Sequence, residues 1–445
     1  MLDFARAMSH LSKRWNICRR VWFLQLVALL AIEFWTFRWV GITIQSAVVL
    51  GNLAIGVAFG MWAVRRTPQF MLLVASCAVA LFAMEISLRI AAPSSQSQME
   101  RIRNVFRFDR RLGWRLAAGE QAVWTTEERE DVPVKINSAG FRDREYDNSV
   151  ENDAAERIAV FGDSYVANVA IEQPQVFTAR LHAALQPRSD VHNYGVGGYG
   201  EVQELVLLDE VLAKWHPTIA LLVVYVGNDF SDNIGDFGVQ GYKRPQVRFA
   251  STGEVEAISE LQDTDRYQDD RAGPVYRLLS GMRIHLLLQQ GFYKLAPSHG
   301  PGSQRPLEVG LFRHDWGAEE LHALQVMKSL LIAMSLHSME RSCKFGVVIA
   351  PTRSQVEDEE WSSVLEEWRK EWRIDPEQYD RTMPNRMLLE SCHQAGYPCL
   401  DLLPALRARA QQGEHLYFRT DHHWNQLAQV RVADAILSWL QHGMP

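Results

Sequence analysis

From residue 157 onward the chain alternates between two hydrophobic periods, and that alternation most limits what it can fold into. Short segments at 157–162, 190–196, 219–226, 344–350 and 397–402 predict strands, and those at 219–226 and 344–350 are the most apolar and β-branched. Between and after them, spacing of helical period predicts helices over 175–186, 201–215, 317–340, 383–395 and 424–441. Strands separated by helices predict parallel βαβ units with right-handed crossovers, hence an α/β fold. Such a sheet collects its ligands at the carboxyl ends of its strands. Chemistry is therefore expected in the residues just after each strand.

Three polar stretches fall at those places, and a fourth is expected on a loop facing the same edge. The first strand ends in Gly162, Asp163 and Ser164. Asn193 and the glycines 195, 197, 198 and 200 follow the second, and Gly227, Asn228 and Asp229 follow the third. Asp421, His422 and His423 open the last helix. A serine after a strand is either a helix cap or a nucleophile. Ester chemistry needs a nucleophile, a base, a group that orients the base, and donors for the developing oxyanion. Ser164 supplies the hydroxyl, a late histidine the base, and a nearby acid its partner. The Ser164 N–H, a glycine N–H and the Asn228 amide supply the oxyanion donors.

This ordered set resembles the SGNH (GDSL) hydrolase superfamily over roughly residues 157–445. Leu112-Gly113-Trp114 and the stretch from Asn137 to Arg142 are similar to its membrane-anchored bacterial branch. The resemblance implies a three-layer α/β/α SGNH-hydrolase-like fold, serine esterase or acyl-transfer chemistry, and neither metal nor cofactor. Position by position, it implies Ser164 as nucleophile and Ser164, Gly198 and Asn228 as the oxyanion hole. Gly198 is preferred to Gly197 for its distance from Asn193. The last block departs from the commoner Asp-x-x-His, which would put Trp424 at the base. It resembles instead the Asp-x-His-Trp stretch of SGNH-like proteins that O-acetylate exopolysaccharides. His423 is thus expected as base and Asp421 as its partner, with His422 the alternative.

Other patterns carry less. Gly195-x-Gly197-x-x-Gly200 fits a dinucleotide fingerprint formally, but no acid stands at the end of the next strand. Ser231-Asp232-Asn233 lacks the Ser-x-x-Lys and Lys-Thr-Gly elements of β-lactamases, and no Gly-x-Ser-x-Gly elbow occurs. His422 and His423 alone are half a metal site at most. Trp361, Leu365, Trp368 and Trp372 lie at helical spacing and read as core packing rather than a substrate platform. Residues 230–316 break the alternation and are expected to be an insertion over the strand ends.

The first 92 residues are a different material. Apolar segments at 21–39, 40–64 and 70–90 are expected to be transmembrane helices, the second being 25 residues without a charge. A signal peptide fits poorly, since two more apolar segments follow the first. Basic residues before the first segment and after the second put both on the cytoplasmic side. The chain is therefore expected to be multi-pass in the cytoplasmic membrane, with an anchor at 1–92, a linker with short strands at 93–156, and a periplasmic or extracytoplasmic catalytic domain at 157–445. The net charge of −7 argues against nucleic acid as a partner. The expected partners are an O-acylated carbohydrate or envelope ester, the lipid bilayer, and a multispanning membrane acyltransferase. The expected function is a serine esterase removing O-acyl groups, acetyl foremost. The alternatives are an O-acyltransferase acting on a sugar hydroxyl and a non-catalytic envelope scaffold. Of five cysteines, Cys343, Cys392 and Cys399 fall on the oxidising side, where one disulfide can form among three pairings.

Overall fold

The computed structural model describes residues 105–125, 128, 132–146, 155–262 and 305–444. The three expected membrane segments, and the part of the expected insertion between 263 and 304, lie outside the described residues. Among the described residues, no helix is long and apolar enough to cross a membrane.

Two small hairpins come first. β1 (Phe106–Asp109) pairs antiparallel with β2 (Gly113–Leu116), and β3 (Gln121–Trp124) with β4 (Val132–Lys135). The first turn closes because the Asp109 carboxylate accepts from the backbone of Arg111 and Leu112 at 2.8 and 2.9 Å. The alternating part then runs β5 (Glu156–Phe161), α1 (Ser164–Ala167), α2 (Phe177–Leu185), β6 (Ser189–Asn193), α3 (Glu201–Lys214) and β7 (Ile219–Tyr225). An excursion comes next: α4 (Asp229–Asp232), the antiparallel pair β8 (Val247–Phe249) and β9 (Val255–Ile258), and α5 (Leu307–Gly310). The chain re-enters the sheet through α6 (Ala318–Glu340) and β10 (Lys344–Ala350). It finishes with α7 (Arg353–Val356), α8 (Asp358–Trp372), α9 (Met383–Ala395), β11 (Cys399–Asp401), α10 (Leu403–Ala410) and α11 (Gln426–Gln441).

Five strands form one wholly parallel sheet in the order β11-β10-β7-β5-β6. Strand side chains alternate between faces, and that alternation makes three layers. Ile158, Val160, Leu221 and Val223 pack with Phe177 and Leu181 of α2 and Val432 and Ile436 of α11. Ala159, Phe161, Leu222 and Val224 pack on the other side with Leu205 and Leu208 of α3 and Met327 and Leu331 of α6. Both faces are covered, so the central strands β7 and β10 read as nearly continuous apolar runs. Truncating a buried leucine such as Leu222 to alanine costs about 2–5 kcal/mol in such a core.

From β5 the chain moves to β6 on one side and then returns past β5 to β7 on the other. The point of reversal opens a crevice at the carboxyl end of β5, where Ser164 lies. The hairpins join the same core through Phe106, Leu112, Trp114, Val134 and Ile136. The aromatic stripe of α8 packs with Phe312 and Tyr379 in a small separate core. Cys392 and Cys399 form the disulfide, tying α9 to β11, and Cys343 is free and buried.

Candidate active site

The turn from β5 into α1 is tight. Gly162 adopts φ +153°, and a Cβ there would lie 2.4 Å from the Val166 side chain. Asp163 caps α1 by accepting from the Tyr165 N–H at 2.8 Å. Ser164 is the first residue of the helix, so its N–H has no acceptor within it. The far end of this four-residue helix is capped by the buried Arg142. Its guanidinium donates to the carbonyls of Ala167 (2.9 Å), Asn168 (2.8 Å) and Ile171. Burial lowers the Arg142 pKa to about 10, against the charges of Asp143 and Glu172. Arg142 is held in turn by the turn at Asn137, whose side chain accepts from the Ala139 and Phe141 N–H groups.

The loop before α11 brings the base. His423 Nε2 lies 2.8 Å from Ser164 Oγ, and His423 Nδ1 lies 3.0 Å from Asp421 Oδ1. The same carboxylate oxygen accepts the His423 backbone N–H at 2.8 Å, so one atom fixes both the loop and the ring. With the Nδ1 proton held by Asp421, Nε2 is free to accept the serine proton. His422 adopts φ +62°, which turns the chain. Its side chain is exposed and its carbonyl accepts from Tyr165 Oη at 2.8 Å. The structure thus brings His423, not His422, to the serine. Trp424 is fully buried against Tyr165 and Phe177.

The charges reflect this packing. Burial lowers the His423 pKa, but the hydrogen bond and charge of Asp421, with the charge of Asp163, more than offset it and leave it above the usual value. Burial raises Asp421, and its bonds to His423 outweigh that and leave it lowered. Asp163 is raised by burial, although Tyr165 N–H, His423, Asn228 and Ser164 all favour its anion.

Gly197 and Gly198 line the space in front of Ser164. Their carbonyls are both held by side-chain donors. Trp114 Nε1 donates to the Gly197 carbonyl at 3.2 Å, and Arg244 Nη1 donates to that of Gly198 at 2.7 Å. Gly198 needs to be glycine, because φ is +77° and a Cβ would meet Val239 at 2.7 Å. Among the described residues no hydrogen bond engages the N–H of Ser164, Gly197 or Gly198. Asn228 is also close. Its Nδ2 donates to Asp232 at 2.8 Å and only loosely to Asp163 at 3.4 Å, and its Oδ1 is buried without a partner. One amide proton is thus firmly held and the other is nearly free. Asp232 is itself paired with Arg244 at 2.6 Å.

Several residues that shape this site were not singled out from the sequence as site residues: Arg244, Trp114, Asp232 and Arg142. The sequence marks the hairpins as short strands and gives them no part in the site. In the structure they wall a cavity of about 290 Å³ that reaches Ser164 and His423. Among the described residues, no group of three His, Cys, Asp or Glu side chains is arranged to hold a metal ion.

Residues 321–444 match the family model described as an SGNH hydrolase-like domain of the acetyltransferase AlgX. That stretch carries Asp421 and His423 but does not extend to Ser164, Gly198 and Asn228. No curated protein matches the chain in sequence. Similar solved structures include LAE5, an α/β hydrolase enzyme from the metagenome of Lake Arreo, Spain, at 11% identity and TM-score 0.34, covering 64% of this chain and 94% of that one. A catalytic mutant of Axe2, an acetylxylan esterase from Geobacillus stearothermophilus, is similar at 10% identity and TM-score 0.34, with the same coverage. TesA is similar at 13% identity and TM-score 0.32, covering 64% and 99%.

Proposed function

We propose that this SGNH-type serine enzyme, an esterase or O-acyltransferase, acts on O-acyl esters through an acyl-enzyme on Ser164. The observation that carries the reading is the chain of contacts Ser164–His423–Asp421 beside three unengaged backbone N–H groups. In the first half-reaction Ser164 Oγ attacks the acyl carbonyl carbon while His423 Nε2 takes the hydroxyl proton. The oxyanion is met by the N–H groups of Ser164 and Gly198, with the loosely held Asn228 proton as third donor. Collapse breaks the bond to the alcohol oxygen, which leaves with the proton from His423. In the second half-reaction His423 deprotonates the acceptor hydroxyl, whose oxygen takes the acyl group; the bond to Ser164 Oγ breaks and His423 returns the proton to that oxygen.

Water as acceptor makes the chain an esterase, and a sugar hydroxyl makes it a transferase. The match to an acetyltransferase domain model favours the second. We place the enzyme at the outer face of the cytoplasmic membrane, held by the apolar segments before residue 92. There its substrates are an acylated envelope carbohydrate or ester and its natural partner a multispanning acyltransferase. The test is labelling of the full-length chain with a fluorophosphonate, followed by hydrolysis of an aryl acetate. Wild type is labelled and active, and Ser164→Ala is neither. An unlabelled, inactive wild type would favour the scaffold reading.

A further inference from the structure

The cavity beside Ser164 is far larger than an acetyl group needs. It measures about 290 Å³ and runs from Ser164, Gly198 and His423 to a wall made by the two hairpins and the segment after α1. Phe106, Leu116, Val134, Ile136, Val169 and Val239 line it. Its charged and hydroxyl-bearing lining residues are Ser164, Asp421, His423 and Arg142. Trp124 Nε1 and Arg142 Nε lack partners, but both atoms are sealed by their neighbours and do not reach the cavity surface.

A lining of this kind chooses between the two halves of an ester. A sugar would bring hydroxyls that find no partner there, and an unpaired buried hydroxyl is strongly disfavoured. An alkyl chain loses nothing polar on entering. One methylene occupies about the share of volume of a water molecule in the liquid, ~30 Å³. The cavity therefore holds a chain of roughly six to eight carbons with some slack. An acetyl group would leave most of it empty.

We infer that this cavity is an acyl-chain subsite and that the acyl group carried by Ser164 is medium-chain, about six to eight carbons. This rests on the reading of Ser164 as acyl carrier. The chain lies between the hairpins and the segment after α1, with its carbonyl carbon at Ser164 Oγ and its carbonyl oxygen toward the Gly198 N–H. The polar alcohol half of the ester stays outside. The hairpins thereby set chain length.

The test uses the full-length protein in detergent with aryl esters of two, four, six, eight and twelve carbons, and alkyl fluorophosphonates of matching lengths. Burial of each methylene should raise kcat/KM about four-fold up to six or eight carbons, with a fall at twelve. Val134→Phe fills the cavity and should lower the ratio of the eight-carbon rate to the acetyl rate at least ten-fold. Ile136→Ala enlarges it and should move the optimum to longer chains. Unchanged labelling of Ser164 by the methyl probe shows that each variant is folded. If labelling is intact but the acetyl ester is best and Val134→Phe changes nothing, the subsite is wrong and the acyl-enzyme stands. If no probe of any length labels Ser164, the acyl-enzyme reading fails and takes the subsite with it.

Discussion

His423 Nε2 and Ser164 Oγ stand 2.8 Å apart although 259 positions separate them in sequence. The contact joins the first strand of the sheet to the loop before its last helix, so the whole catalytic unit must fold before the base meets the nucleophile. The same contact governs the pH dependence, since His423 works as a base only when neutral. Burial alone would lower its pKa, but Asp421 and Asp163 hold it above 6.5. The acidic limb of kcat/KM should therefore rise with pH through a pKa above 6.5. In Asp421→Asn the raising contribution is lost and burial remains, so the limb should move to lower pH. The plateau should fall by about 10³–10⁴ as the ring loses its orientation. A pH profile from 5 to 10 measures both, and a limb that did not move would mean that Asp421 does not govern His423.

Asn228 has one proton bound to Asp232 and one nearly free. If the free one meets the oxyanion, Asn228→Ala should lower kcat by about 10²–10³, with KM little changed. Asn228→Asp puts a carboxylate beside Asp163 and Asp232 and should be at least as damaging. Steady-state kinetics on one aryl ester distinguish this from a purely structural role, which would lower the melting temperature and spare kcat in the surviving folded enzyme.

The sheet and the relay were legible because each rests on local pattern. A strand covered on both faces needs no polar alternation, and continuous apolar runs such as 219–226 mark such strands by themselves. Gly162, Asp163 and Ser164 announce themselves at a strand end. The unreadable part lies in contacts between distant segments. Trp114 reaches Gly197 across 83 positions and Arg244 reaches Gly198 across 46. Neither contact is signalled by local spacing. The choice of Cys392 with Cys399 depends on how α9 meets β11, and the cysteine spacing alone left all three pairings open.

Arg244 ties the two halves of the oxyanion site together. It holds the Gly198 carbonyl, pairs with Asp232 beneath Asn228, and lies over the Trp114 ring at 5.4 Å. Lysine cannot make these bonds at once, having no planar fork. Arg244→Lys should therefore lower kcat by about ten-fold or more, with the pH profile unmoved because His423 is untouched. Arg244→Leu leaves the half-buried Asp232 without its cation and should lower the melting temperature. Adding Asp232→Asn should restore much of that stability without restoring kcat. Recovery of both together would reduce Arg244 to a stability element.

Glu204 gives the last prediction, on stability. It is buried on α3, and among the described residues neither carboxylate oxygen has a hydrogen-bond partner. Burial first, and then the charges of Glu201, Asp163 and Asp232, push its pKa well above the usual 4.5. Burial likewise carries Glu201, one turn earlier, up to about 7. The folded chain thus keeps protons that the unfolded chain releases. Stability from these groups is complete below pH 4.5 and declines as pH rises. Each contributes a slope of up to roughly 1.4 kcal/mol per pH unit until its folded pKa is passed. Glutamine has nearly the same shape and nothing to titrate. Glu204→Gln should therefore match wild type near pH 5 and exceed it increasingly toward pH 8, where the acid is retained at the greatest cost. Thermal unfolding across that range tests it. A melting-temperature difference independent of pH would mean that Glu204 is ionised in the folded state and has a partner among its neighbours.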